Sequence, residues 1–141
     1  MKKLTIRLFA IIALAASVQA QVQAQPKGQP VKPALISPKA VRDLLASNKE
    51  ALLIDVRTLE EFIAGRIAGS VLLPYDQINA ASAAAAIGPN KDRTVIVYCR
   101  SGRRSEIAAA TLASLGYRKV LDLGGIGSWP YGTISGQPKK P

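Results

Sequence analysis

Thr94-Val95-Ile96-Val97-Tyr98-Cys99-Arg100-Ser101-Gly102-Arg103-Arg104-Ser105 is the stretch on which the fold turns. Its first five residues are β-branched or aromatic and predict the clearest strand of the chain. A loop begins at Cys99, and Gly102 allows it a sharp bend. Ile107–Leu115 then reads as a helix that Gly116 ends.

The same alternation extends in both directions. Upstream, Ser37 and Pro38 supply an N-cap and a first-turn proline, with Val41, Leu44 and Leu45 at helical spacing behind them. Ala51–Val56 is a short apolar run of the buried-strand kind. Thr58 and Glu61 form a capping box that opens a second helix, with Phe62 and Ile63 on its apolar face and Gly65 at its end. Val71–Leu73 is a short strand stopped by Pro74. Asp76–Ile87 is alanine-rich and predicts a helix, broken by Gly88, Pro89 and Asn90. Downstream, Lys119–Leu123 predicts the last strand, Gly124 and Gly125 a turn, and Trp129-Pro130 the close of the domain. Strands alternating with helices predict an α/β fold with a central, mainly parallel sheet.

The flanks read differently. Lys2, Lys3 and Arg7 precede an apolar run from Leu8 to Ala16, which is too short for a bilayer core needing about 20 residues. Small or β-branched residues at Val18 and Ala20, and again at Val22 and Ala24, complete a secretory signal over residues 1–24, cleaved after Ala20 or Ala24. This predicts a periplasmic or secreted protein with no stable membrane association after cleavage. Residues 25–34 read as a flexible lead-in rich in Gln, Pro and Lys, residues 35–134 as the folded domain, and 135–141 as a flexible tail.

Composition narrows the chemistry. The chain has 141 residues, one cysteine and no histidine. His-Cys dyads, Ser-His-Asp triads and histidine metal sites are excluded, and so is an internal disulfide or a Cys-x-x-Cys half-site. No cofactor or metal is expected. The formal net charge is +10, from 19 Lys and Arg against 9 Asp and Glu. The cations are scattered except for Arg100, Arg103 and Arg104, and no basic run interleaves with aromatics, which argues against a nucleic-acid partner.

Cys99 is the candidate nucleophile. It stands at the carboxyl end of the strongest strand, where open α/β sheets bind ligands. The loop from Cys99 to Arg104 can curl its amides around an anion at a helix N-terminus, and the three arginines add positive charge. Such surroundings favour thiolate and need no imidazole. The arginines also predict that Cys99 is not an inert core residue, because arginine is seldom fully buried.

Four segments, in order, resemble the rhodanese family. Cys99-Arg100-Ser101-Gly102-Arg103-Arg104-Ser105 is similar to its active-site loop. Leu53–Arg57 with Glu60-Glu61-Phe62 is similar to its Asp-Val-Arg and Glu-Phe segment. Gly65–Ser70 resembles a Gly-His-Ile-Pro-Gly-Ala stretch, with Arg66 in place of His and Ala68 in place of Pro. Leu123–Ile126 with Trp129 resembles its closing Gly-Gly and Trp motif. The resemblance implies a rhodanese-like three-layer fold, a sheet flanked by helices. It implies sulfur transfer through a persulfide on Cys99, from a small anionic donor such as thiosulfate to a thiol or cyanide acceptor. Arg100, Ser101, Gly102, Arg103, Arg104 and Ser105 are then the substrate-binding residues. Asp55, Arg57 and Glu61 read as an ion-paired network bracing the turn after their strand. Two other readings stay open: a persulfide carrier, sensor or binding module on the same scaffold, and a cysteine phosphatase or arsenate reductase. The last needs Cys-x5-Arg, and here the sixth residue after Cys99 is Ser105.

Overall fold

The computed structural model describes residues 32–137. The predicted signal (1–24), most of the lead-in and the end of the tail (138–141) lie outside the described residues. Five strands form one sheet: β1 (Ala34–Leu35), β2 (Leu52–Asp55), β3 (Val71–Leu72), β4 (Thr94–Cys99) and β5 (Lys119–Gly125). Their order is β1-β5-β4-β2-β3, and every pairing is parallel. Helices α1 (Pro38–Ser47), α2 (Leu59–Ala64), α3 (Ala80–Ile87) and α4 (Arg103–Ser114) connect the strands.

β4 lies at the centre, and its pleat divides the interior. Side chains alternate across a strand, so Val95, Val97 and Cys99 face one way and Ile96 and Tyr98 the other. The first set joins Ala83 and Ile87 of α3 and Ala108, Ala109 and Leu112 of α4 in one core. The second joins Val41 of α1 with Leu53, Ile67 and Leu123 in another. Helices thus cover both faces, giving the three layers that the sequence predicts.

Local chemistry sets the boundaries. Ser37 caps α1 by accepting from the Ala40 amide. Thr58 and Glu61 make the reciprocal capping box at α2. The predicted helix from Asp76 begins later: Tyr75–Gln77 is a 3₁₀ turn, and α3 starts at Ala80. Asn79 causes the break, because its side chain accepts from the amides of Ala81 and Ser82 and ends the preceding segment. α4 begins at Arg103, one turn before the predicted start, once Gly102 has reversed the chain at φ +102°.

Two strand expectations also change. β1 lies where the sequence reads as the junction of lead-in and domain, and it is too short to carry a pattern. Gly124 and Gly125 are not a turn but the end of β5. A bulge lets Tyr98 pair with Gly124 and Cys99 with Gly125, although Val97 pairs with Asp122.

Tyr98 ties the central strand to the turn before β3. Its ring is buried, and its hydroxyl accepts from the Ile67 amide at 3.1 Å and lies 3.1 Å from Ser70 Oγ. Burial pushes the phenol well above its ordinary pKa, so it stays neutral. Tyr98→Phe leaves the buried Ile67 amide without its partner and should cost about 1–3 kcal/mol in urea-unfolding stability, with an unchanged m-value. A loss below about 0.5 kcal/mol would show that this hydrogen bond has no net structural weight.

Candidate active site

The cysteine that ends β4 is wholly buried, with 0% of its surface exposed. The arginines that argue against an inert core cysteine thus do not keep the sulfur at the surface. The reason is parity: at position 99 the pleat points inward, whereas the chain after it curls over the sheet and sends Arg100, Ser101 and Arg103 outward to solvent. Burial and a lowered thiol pKa coexist because the loop's polar groups close over the sulfur. Sγ accepts from the Gly102 amide at 3.0 Å, and Ser105 Oγ lies 3.6 Å away.

These contacts decide the charge state of the thiol. Burial alone would push its pKa up. The Ser105 hydroxyl and the amides of Ser105, Gly102 and Ser101 outweigh it, so the thiol titrates below its ordinary value. The Ser105 hydroxyl also donates to the Gly102 carbonyl at 2.9 Å. Its one hydrogen can serve that carbonyl or a thiolate, so it can swing toward Sγ when the proton leaves.

The arginines divide their labour. Arg104 is bound bidentately to Glu61, Nη1 to Oε2 at 2.7 Å and Nη2 to Oε1 at 2.8 Å. It pins the start of α4 to α2, and it holds the Glu61 carboxyl at about 2. Arg57 makes a second pair with the buried Asp55, through Nε at 2.9 Å and Nη2 at 2.7 Å, and donates to the Gly65 carbonyl at 2.6 Å. The predicted single network of Asp55, Arg57 and Glu61 is thus two pairs, and Glu61 is spent on a loop arginine. Among the described residues, Arg100 and Arg103 have no ion-pair partner.

A family profile described as a rhodanese-like domain matches residues 37–130. The chain belongs to the rhodanese family. It is 39% identical over 95 residues to a protein named sulfurtransferase from Allochromatium vinosum, covering 67% of this chain and 85% of that one. It is 36% identical over 73 residues to thiosulfate sulfurtransferase PspE of Escherichia coli, covering 52% and 68%. The solved human single-domain sulfurtransferase TSTD1 superposes with a TM-score of 0.58 at 30% identity, covering 72% of this chain and 96% of that one. Longer relatives also match: the chain spans 26% of the probable adenylyltransferase/sulfurtransferase MoeZ of Mycobacterium tuberculosis, at 36% identity.

The rhodanese loop rests on a seat that the sequence marks only as a Gly-Gly pair. A Cβ added at Gly125 would lie 2.7 Å from the Arg100 carbonyl oxygen and 3.1 Å from Ser101 Cα. Only a residue without a side chain lets the loop lie this close to β5. Gly125→Ala should therefore lift the loop off the sulfur. The expected outcome is at least a tenfold change in the alkylation rate of Cys99 by iodoacetamide at fixed pH, with the far-ultraviolet circular dichroism retained. An unchanged rate would show that the loop does not depend on this seat.

Proposed function

We propose that this protein transfers a sulfane sulfur from thiosulfate, or a similar anionic donor, to a thiol or cyanide, carrying it as a persulfide on Cys99. The observation that carries this reading is the sulfur itself: a lone, buried cysteine whose Sγ sits within hydrogen-bond distance of the Gly102 amide, in a loop that lowers its pKa without histidine. The names of its sulfurtransferase relatives support the reaction class, and that of PspE supports thiosulfate as donor.

Two half-reactions follow. The Cys99 thiolate attacks the outer sulfur of thiosulfate, the sulfur–sulfur bond of the donor breaks, and sulfite leaves with its electron pair. The persulfide places a new sulfur about 2 Å beyond Sγ, where the loop amides and the helix N-terminus stabilise its charge. An acceptor thiolate or cyanide then attacks that outer sulfur, and the Cys99 thiolate is released. With a single cysteine in the chain, the acceptor comes from outside. The phosphatase reading loses support from the position of Arg104, whose guanidinium is turned to Glu61. The basic and apolar start of the chain supports action in the periplasm or outside the cell.

Treatment with thiosulfate should add the mass of one sulfur to the wild-type protein, and cyanide should remove it catalytically as thiocyanate. Cys99→Ser should do neither. Transfer that survives Cys99→Ser sinks the reading, and loading without turnover favours a carrier.

Ser105→Ala tests the activation. It removes a hydrogen bond that favours thiolate, so the native pKa of Cys99 should move up. The pH at which iodoacetamide alkylation reaches half its maximal rate should rise accordingly. A midpoint that stays put would show that the Ser105 hydroxyl serves only the Gly102 carbonyl.

A further inference from the structure

Two hollows flank the loop, and their charges differ. One, of about 440 Å³, is lined by Ser101, Gly102 and Arg103 and also by Lys32, Glu106 and Asp122, so its cations and carboxylates balance. The other, of about 490 Å³, is lined by Arg57, Glu61, Gly65, Arg100, Ile126 and Thr133. In this second hollow the charge of Arg57 is matched by Asp55 and that of Glu61 by Arg104. Arg100, the residue next to Cys99, is left as its one uncompensated cation among the described residues.

The outer wall of this hollow is held in place. Arg66 and Ile134 exchange both backbone hydrogen bonds, at 2.8 and 2.9 Å. The Arg66 guanidinium, buried beneath the segment and stacked on the Phe62 ring at 4.5 Å, donates to the Gly136 carbonyl at 2.7 Å. The Gly136 amide in turn donates to the Ile63 carbonyl at 2.8 Å. Four hydrogen bonds therefore fasten residues 134–136 across α2 and its exit, and they bring Thr133 to within 3.6 Å of where a Cβ on Gly65 would lie.

We infer that the Arg100 hollow is the acceptor subsite and that it takes a small thiol bearing a carboxylate, with Thr133 of the docked C-terminal segment in its outer wall. The inference rests on the sulfur-transfer reading above and specifies its acceptor. The carboxylate of such a thiol meets Arg100, while its thiolate reaches the outer sulfur of the Cys99 persulfide. The new bond joins the acceptor sulfur to that outer sulfur, the Cys99 sulfur–sulfur bond breaks, and its electron pair stays on Cys99. The charge-balanced hollow on the other side of the loop has no equivalent attraction. A hollow of about 550 Å³ near Thr94 and Lys119 lies at the opposite ends of β4 and β5 from Cys99.

The test compares mercaptoacetate with mercaptoethanol as acceptors from thiosulfate-loaded protein, and reads the ratio of their KM values. Thr133→Glu places a carboxylate in the wall. It should shift the ratio about fivefold against mercaptoacetate, the scale of one exposed ion pair. Thr133→Gln, of the same size, should leave the ratio as in wild type. Lys119→Gln makes the same change in net charge at the far end of the sheet and should leave it as well. An unmoved ratio in Thr133→Glu, or an equal shift in Lys119→Gln or Thr133→Gln, overturns the inference. Loading is measured separately by mass. If wild-type Cys99 takes up no sulfur, the sulfur-transfer reading fails and this inference falls with it; if it loads and the ratio is indifferent, only the acceptor assignment fails.

Discussion

The two-residue pleat of β4 is the constraint from which the rest follows. A strand at the centre of a parallel sheet has both faces covered, so every residue on it is committed to one core or the other. Val95 and Val97 commit the odd positions to the α3–α4 side, and Cys99 inherits that direction. The sulfur therefore points beneath the first turn of α4 rather than into solvent. Tyr98, committed to the opposite core, sends its hydroxyl to the Ile67 turn. One register choice places both the sulfur and the bond that steadies the turn before β3.

Burying a thiol ordinarily suppresses its ionisation. Here the loop supplies enough hydrogen bonds to reverse that effect, and it does so chiefly with main-chain amides and a serine. The guanidinium groups nearby act mostly elsewhere. Arg104 and Arg57 hold carboxylates and set the position of the loop and of the turn after β2. This division separates the groups around the sulfur, which are amides and the Ser105 hydroxyl, from Arg100 and Arg103, whose side chains face solvent.

Much of this was legible in the sequence, for identifiable reasons. β4 and its loop announce themselves through β-branched residues followed by a glycine-bearing cationic run. The capping box at Thr58 and Glu61 and the Ser37-Pro38 start are local chemistry and are found as read. The later start of α3 is also local, but Asn79 competes with an alanine run whose propensity points the other way. The bulge in β5, the burial of Cys99 and the pairing of Glu61 with Arg104 depend on register and on contacts between distant residues, which no periodicity encodes. The docked segment at Ile134 and Gly136 is held largely by backbone hydrogen bonds, so its side chains carry no trace of it.

The loop lies on Gly125 through contacts of main chain with main chain. Its shape is thus independent of what residues 100, 101 and 103 carry, and all three side chains are exposed. Substitutions at these three positions would change the charge and shape of the rim while the cradle around the sulfur stays as it was. The setting of the sulfur and the charge of the rim are thus separable properties of one short loop, the first fixed by main-chain packing and the second by exposed side chains.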